Sequence, residues 1–338
     1  KHGIWGPVAK FVVNKPYLSG GLVLIFMIIT SFNVLNLEYE YDTVKSFPEE
    51  LPSRVGYEIV ESRFDKGELA PTSLFVESKQ PLTEEQKQAL TEALSTEENI
   101  ASVRTSAVSD DETKMKLSMA FDVSPYSPEA IEKLEDMREN SADYLAAAGI
   151  NGELLFAGTT AKLVDERNVN NDDIIKIVVL ETILILVLLF VLTKSWRMPI
   201  YMMATILVSY LSALGLGIFL VDALFGYDAI STRVPVYAFI FLVALGIDYN
   251  IILVSRFLEE RKRMNVKEAL EIAIRNTGGV ISSAGIILAA TFAALMTMPI
   301  ADLFVFGFIV SVGIIIDTFL VRGMLLPMLI LTFEKDKK

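Results

Sequence analysis

The chain of 338 residues contains no cysteine and a single histidine. The absence of cysteine excludes a disulfide framework. It also means that cysteine usage gives no information on whether the protein lies in an oxidising or a reducing compartment. The sequence has no cluster of His or Cys typical of a bound metal, and no nucleophile elbow of the hydrolase type. We therefore expect no metal and no other cofactor, and the pattern does not support a soluble enzyme.

Basic residues are scarce over residues 37–173, where 13 of them stand against 30 acidic residues, while the rest of the chain has a net charge of +5. Nucleic acids bind proteins mainly through their phosphates, which a strongly acidic domain repels. The charge distribution therefore excludes nucleic acid as an expected partner.

Long apolar runs make the chain 52% hydrophobic, with a mean hydropathy of +0.47, which is more apolar than ordinary soluble proteins. A run of about 20 apolar residues spans the bilayer as a helix, because lipid offers no partner to an open strand edge. Six such runs predict six transmembrane helices at residues 17–37, 174–192, 199–221, 234–255, 278–298 and 303–331.

Lysine and arginine are concentrated before the first span, in every second short connection and after the last span. These residues are Lys1, Lys10, Lys15, Lys194, Arg197, Arg256, Arg261, Lys262, Arg263, Lys267, Arg275, Lys335, Lys337 and Lys338. An excess of Lys and Arg marks the cytoplasmic side of a membrane protein. The pattern predicts that both termini are cytoplasmic, with the N-terminus and the first span in segment 1–36 and a cytoplasmic tail at 334–338, and that residues 37–173 are extracytoplasmic.

Residues 256–276 join the fourth and fifth spans and combine an apolar stripe with a charged opposite face. We expect a cytoplasmic amphipathic helix there, which is either solvated or docks a partner. Trp5 and Trp196 fit the aromatic belts at the membrane interfaces.

Residues 37–173 alternate between helical and strand patterns. The predicted helices are 51–64, 83–95 and 128–148, and the predicted strands are 72–78, 101–109, 114–124 and 152–158. Thr83 and Gln86 have the spacing of a capping box, and Ser127 is the expected N-cap before Pro128. This alternation predicts an α+β domain of the split βαβ kind, acting as a binding or docking module.

Four ionisable residues lie inside the predicted spans, namely Glu181, Asp248, Asp317 and Arg322. A charge at the centre of a span costs about 2.5–3.5 kcal/mol, so each is a candidate functional residue. Asp248 is the candidate proton site, and Tyr249 could donate a hydrogen bond to a carboxylate on a neighbouring helix.

Asp317 and Arg322 are five residues apart, which is about 140° around an α-helix. We therefore expect that they do not pair within their own helix and that each has partners on other spans or in water. A purely structural salt bridge between helices is the alternative. Glu181 either reaches the interface or has a functional role.

Small residues crowd the beginning of the fifth span, which is typical of tight helix packing. The hydroxyls of Ser282, Ser283 and Thr291 could alternatively donate hydrogen bonds to a buried carboxylate.

The segment "LGIDYNIILVSRFLEE" (245–260) resembles the fourth-helix signature of the mycobacterial membrane protein large (MMPL) family, within the resistance-nodulation-division (RND) superfamily. "ISSAGIILAATFAAL" (281–295) and "GFIVSVGIIIDTFLVRGMLLPML" (307–329) are similar to its last two helices. "FAGTTAKLVDERNVNNDD" (156–173) resembles its stretch that re-enters the membrane.

The resemblance implies a bacterial cell-membrane exporter driven by protons, with a porter domain that receives lipid or other amphipathic cargo from the surrounding membrane lipids. It matches Asp248 and Tyr249 to an Asp-Tyr pair that relays protons between two pseudo-symmetric halves. Asp317 and Arg322 match the charged pair of the last helix, and Glu181 matches no motif.

Transporters of this family usually carry two six-helix units, whereas this chain has one, and "GIDYN" looks like the second. Because the chain does not begin with Met, we expect the C-terminal half of a longer transporter. Its partner would be the missing N-terminal half or a second copy. The alternatives are a Sec-associated RND accessory of protein export and a non-transporting membrane scaffold or binding subunit.

Overall fold

A computed structural model describes residues 4–64 and 66–335 of the chain. Lys1, Lys337 and Lys338, which contribute to the predicted orientation, lie outside these residues, as does most of the predicted tail 334–338. The chain divides into two compact units. We call them the helical unit, Lys1–Tyr39 with Ile174–Lys338, and the α/β unit, Glu40–Asp173.

The α-helices within the described residues are α1 Trp5–Asn14, α2 Pro16–Ser31, α3 Pro52–Arg63, α4 Glu84–Ser95, α5 Pro128–Glu139, α6 Ser141–Ala147, α7 Thr159–Thr193, α8 Arg197–Phe225, α9 Arg233–Glu260, α10 Val266–Ala293, α11 Ala301–Ile315 and α12 Leu326–Phe333. The strands are β1 Tyr39–Glu40, β2 Thr72–Ser78, β3 Ile100–Val108, β4 Lys114–Phe121, β5 Gly152–Ala157 and β6 Ile230–Ser231. A π-helix, Ile316–Leu325, joins α11 to α12.

Six helices in the described part of the chain are long and apolar enough to cross a membrane, which confirms the predicted multi-pass protein. They are Pro16–Asn36, Thr159–Thr193, Arg197–Phe225, Arg233–Glu260, Val266–Thr297 and Ala301–Phe333. The second span belongs to helix α7, Thr159–Thr193, so this helix begins well before the predicted residue 174. The predicted extracytoplasmic location of residues 37–173 stays a prediction.

The connection between the fourth and fifth spans differs from the predicted helix over 256–276. Helix α9 extends to Glu260, and α10 begins at Val266 and continues directly into the fifth span. The break has a local cause, because the Asn265 side chain accepts a hydrogen bond of 3.0 Å from the Glu268 amide and caps a new helix. The apolar stripe is buried in the core of the helical unit, with Leu270 and Ala273 fully covered.

The α/β unit contains a four-stranded antiparallel sheet of order β3-β4-β2-β5. Helix α4 connects β2 to β3, and α5 and α6 connect β4 to β5, which is the split βαβ topology. Alternate residues of the central strands face these helices, so that Leu74 lies opposite Leu117 and both are fully buried. Burial of such side chains contributes about 1.5–3 kcal/mol each.

Two helix starts of the α/β unit follow the predicted chemistry. Thr83 and Gln86 form both hydrogen bonds of a capping box, and the Ser127 hydroxyl accepts a hydrogen bond from the Ala130 amide. The predicted helix over 128–148 is divided at Asn140. The Asn140 side chain donates to the Asp136 carbonyl at 2.9 Å, and such side-chain bonds to the backbone compete with helical continuation.

Three helices approach closely where the sixth span enters the centre of the helical unit. A Cβ atom at Gly313 of α11 would lie 2.7 Å from Leu242 of α9 and 2.9 Å from Ala213 of α8. Only a residue without a side chain permits this approach. The contact brings the residues that follow α11 against the middle of α9.

Candidate functional site

The sixth span changes its helical geometry at its charged residues. Ile316–Leu325 is a π-helix, in which hydrogen bonds run from residue i to residue i+5. This geometry brings Asp317 and Arg322 to the same face, and an Arg322 Nη2 atom donates to Asp317 Oδ2. The prediction that the two residues do not pair within their helix was wrong, because the 140° separation applies only to an α-helix.

The Asp317–Arg322 pair is buried, with 6% of Asp317 and 3% of Arg322 exposed. Burying two charges is costly unless further hydrogen bonds satisfy the remaining donors and acceptors. Helix α9 supplies two such hydrogen bonds, while Asp317 Oδ1 and Arg322 Nη1 have no partner among the described residues. Arg322 Nε donates to Asn250 Oδ1 at 3.3 Å, and Nη2 donates to the Gly246 carbonyl at 3.4 Å. The fourth and sixth spans are therefore joined through one guanidinium group.

Residues Gly246, Tyr249 and Asn250 share one face of α9, because positions three and four apart are neighbours on a helix. The Tyr249 ring lies beneath the guanidinium, 4.1 Å from ring centroid to Arg322 Cζ. This contact uses the face of the ring, whereas the sequence predicted a hydrogen bond from its hydroxyl to a carboxylate. Asn250 is fully buried, and the sequence analysis missed it. A polar amide two residues after Asp248 in an apolar span was the available signal.

Within the described residues, Asp248 forms no hydrogen bond or ion pair with Asp317 or Arg322. It is exposed on the surface of the helical unit, although ionisable residues in spans usually face the bundle interior. It belongs to a line of exposed α9 residues at helical spacing, which we call the α9 outer stripe: Tyr237, Phe241, Ala244, Asp248 and Ile252. The structure therefore separates the predicted relay residues into an exposed acid and a buried ion pair, with Tyr249 between them in sequence.

The three hydroxyls predicted as possible donors do not bind the carboxylate of Asp248 or Asp317. Ser282, Ser283 and Thr291 each donate to the carbonyl four residues earlier, at 2.6, 2.9 and 2.9 Å. The other prediction for this segment, tight helix packing by small residues, describes the fifth span better. A Cβ atom at Gly285 would collide with the side chain of Thr318, which lies directly after Asp317.

Glu181 lies half-buried on α7, beside the exposed side chains Leu180, Ile183 and Leu184. Within the described residues, it forms no hydrogen bond or ion pair that would join it to Asp248 or Asp317. Both predicted roles for Glu181 therefore stay predictions.

The two tryptophans differ in their surroundings. Trp196 is 64% exposed beside Arg197, as expected for an interfacial residue. Trp5 instead packs into the helical unit, where its indole Nε1 donates to Ser282 Oγ at 2.7 Å. The interfacial location of Trp5 stays a prediction, since the structure shows only that α1 places this ring between α10 and the sixth span.

Two small cavities flank the buried ion pair. One is lined by Ser209, Tyr210, Leu245, Tyr249 and Asp317, and the other by Trp5, Thr277, Gly278, Thr318 and Arg322. Each has room for about one water molecule. The Asp317 carboxylate thus borders one cavity and the Arg322 guanidinium borders the other.

These features define a multi-pass membrane protein with a buried ion pair and an exposed acid in its membrane helices. Sequence comparison specifies the class further. The pattern of the MMPL family matches residues 48–336, and the chain belongs to this family.

Three relatives illustrate the family. A membrane protein of Streptomyces coelicolor is 35% identical over 330 residues, covering 97% of this chain and 39% of its own length. The apo-petrobactin exporter of Bacillus anthracis is 35% identical over 326 residues, covering 94% of this chain and 42% of its own length. The sulfolipid-1 exporter MmpL8 of Mycobacterium tuberculosis is 28% identical over 231 residues, covering 68% and 21%. The chain thus spans about two fifths, or less, of the length of these curated relatives.

Proposed function

We propose that the chain is one six-helix half of a transporter that exports lipid or other amphipathic molecules and is driven by the proton-motive force. The observation that carries the proposal is the exposed carboxylate of Asp248 in the middle of a membrane helix. The family includes exporters named for sulfolipid-1 and apo-petrobactin, which supports transport of a sizeable molecule. The chemical identity of the cargo belongs to the proposal.

An exposed Asp248 needs a covering surface, because a carboxylate facing lipid costs about 2.5–3.5 kcal/mol. A second six-helix unit on the α9 outer stripe would provide it, either as an N-terminal half or as a second copy. Contact along the stripe would place Asp248 and Tyr249 at the boundary between units, where an Asp-Tyr pair can exchange a proton.

Protonation of Asp248 at that boundary would affect the interior of the helical unit through α9. Tyr249 touches Arg322, and Arg322 is paired with Asp317, so a shift of α9 changes the surroundings of both buried charges. One charge moved across 100 mV supplies about 2.3 kcal/mol, which is enough to bias a two-state equilibrium strongly. In this proposal Asp248 binds the proton, and the Asp317–Arg322 pair couples its charge to the sixth span.

The proposed topology places both termini in the cytoplasm and the α/β unit on the opposite side as a porter-like domain. Its support is the concentration of Lys and Arg in the short connections on one side. The split βαβ topology of the unit suits a binding module, which would receive cargo from the outer leaflet.

The test is Asp248→Asn in the full-length protein, with Asp222→Asn, an exposed acid at the end of α8, as the control. Cargo efflux that depends on a proton gradient should be lost in the first variant and kept in the second, with both inserted at normal levels. Normal efflux by Asp248→Asn would overturn the relay.

The two other functional classes give different results. A scaffold should tolerate the combined Asp248→Asn and Asp317→Asn substitutions without any loss of function. A Sec-associated accessory should co-purify with the translocon, and its deletion should impair protein secretion. Family membership with named exporters favours transport over both.

A further inference from the structure

Trp5, the first residue of α1, inserts its ring between helix α10 and the π-helix. Its ring is half-buried, stacks on Phe319 of the π-helix with centroids 6.4 Å apart and an interplanar angle of 11°, and donates to Ser282 of α10. The first residue of α1 therefore contacts both the fifth and the sixth span.

Two glycines make the slot that receives this ring. A Cβ atom at Gly278 would lie 2.5 Å from the indole Cγ and Cδ2 atoms, and one at Gly323 would lie 3.3 Å from Cζ3. The adjacent Gly279 is different, because a Cβ atom there would meet nothing within 4 Å. The sequence pair Gly278–Gly279 thus contains one position that fits the indole and one that faces open space.

The cavity beside Arg322 has Trp5 in its lining, together with Thr277, Gly278, Thr318, Arg322 and three aliphatic side chains. Thr318 is 1% exposed and Arg322 is 3% exposed, yet Thr318 Oγ1 and Arg322 Nη1 have no hydrogen-bond partner among residues 4–64 and 66–335. Leaving such a buried group unsatisfied costs about 1–3 kcal/mol. A cavity with room for about one water molecule, lined by two residues that carry unpartnered polar groups, is suited to binding water.

We propose that this cavity, the Arg322 cavity, is a water-binding site and that the Trp5 indole is its removable closure. Water admitted there hydrates the guanidinium whenever the Asp317–Arg322 pair separates during the transport cycle. The role in the cycle rests on the proposed proton coupling, whereas the existence of a closed water site does not.

The absence of cysteine from this chain gives a direct test. Thr318→Cys places a single thiol of similar size against the cavity, in the full-length protein with any cysteine elsewhere replaced. An anionic, water-soluble methanethiosulfonate reagent modifies the thiolate only where water reaches it. With Trp5 in place we expect slow modification, and Trp5→Ala should accelerate it at least about tenfold, which is a change of about 1.4 kcal/mol.

Gly278→Ala and Gly279→Ala form the matched pair for this experiment, each in the Thr318→Cys background. Gly278→Ala should displace the indole and accelerate modification, and Gly279→Ala should leave the rate unchanged. Ser282→Ala removes the hydrogen-bond acceptor, retains the packing and should give a smaller acceleration. These variants decide the question if Trp5→Ala does not fold, as judged by gel filtration of the purified protein.

Three outcomes would overturn the proposal: fast modification with Trp5 intact, no acceleration in any variant that disturbs Trp5, or equal acceleration by the two glycine substitutions. The labelling rate does not depend on cargo or on a proton gradient. A failure here would therefore leave the Asp248→Asn transport test intact, and a failure of that test would leave the closed water site intact.

Discussion

The Arg322 guanidinium lies over the Tyr249 ring, with 4.1 Å between the guanidinium carbon and the ring centroid. A desolvated contact of this kind contributes about 2 kcal/mol. Tyr249 is thus the direct chain neighbour of the exposed Asp248 and also a partner of the buried cation. In the proposed relay, Tyr249 is the residue that connects the outer acid to the inner ion pair.

Substitutions of Tyr249 distinguish the contribution of its ring from the contribution of its hydroxyl. Tyr249→Phe retains a ring face for Arg322, so thermal stability should remain near that of the unmodified protein while proton-driven efflux falls more than about tenfold. Tyr249→Leu should lose both the ring contact with Arg322 and proton-driven efflux, with the free energy of unfolding lower by about 2 kcal/mol. Thermal unfolding in detergent and efflux in vesicles measure the two effects. Normal efflux by Tyr249→Phe would remove the hydroxyl from the relay.

The buried pair should show strong non-additivity. Asp317→Asn and Arg322→Gln each leave one buried charge without its partner, which should cost about 3–5 kcal/mol. The double variant removes both charges and should be more stable than either single variant, yet it should not recover transport. A double-mutant cycle of unfolding free energies tests this coupling, and additive losses would contradict it.

Asn250 should stabilise the site by accepting from Arg322 Nε. Asn250→Leu conserves the approximate volume but leaves that donor unpaired, so we expect a loss of about 1–3 kcal/mol. Asn276→Leu on the exposed face of α10 is the control and should change stability little. Similar unfolding temperatures for both variants would show that the hydrogen bond is unimportant.

One pH dependence is expected in the α/β unit. A hydrogen bond from Lys133 lowers the pKa of Glu97 below its ordinary value, against the opposing effect of partial burial. Because the folded pKa is the lower one, ionised Glu97 stabilises the unit near neutral pH. This contribution disappears as the pH falls below the usual glutamate range and through the folded pKa.

Glu97→Gln should therefore be less stable than the unmodified protein near neutral pH, by about 1 kcal/mol, and the difference should close as the pH falls through the lowered pKa of Glu97. Glu92→Gln, at an exposed position of α4, is the control and should show no such convergence. Hydrogen exchange of the α5 amides, corrected for its intrinsic pH dependence, measures the difference. A gap that persists in acid would show that the ion pair is not its cause.

Local patterns carried much of the fold. The capping box of Thr83 and Gln86 and the strand Thr72–Ser78 were predictable, because their signals lie within a few adjacent residues. The division at Asn140 and the helix start at Val266 were not predicted, although both depend on a local side-chain hydrogen bond. Asn side chains have several possible partners, and the sequence does not show which one is used.

The site was predicted less completely than the spans. The sequence marked Asp317 and Arg322 as functional candidates, but α-helical angles gave the wrong relationship between them. The π-helix packs against α9, where Gly246 and Asn250 accept hydrogen bonds from the Arg322 guanidinium. The packing of Trp5 was not predicted for a related reason, since its slot is formed by glycines on two distant spans.

The sequence by itself determined the six membrane helices, the acidic α/β unit and the presence of ionisable residues among apolar ones. Each of these depends on the composition of a continuous segment, which decides whether that segment can enter lipid. Only the tertiary structure decided that Asp248 faces outward while Asp317 and Arg322 meet inside. The orientation of a side chain depends on which helices pack against its own, and that packing joins residues far apart in the chain.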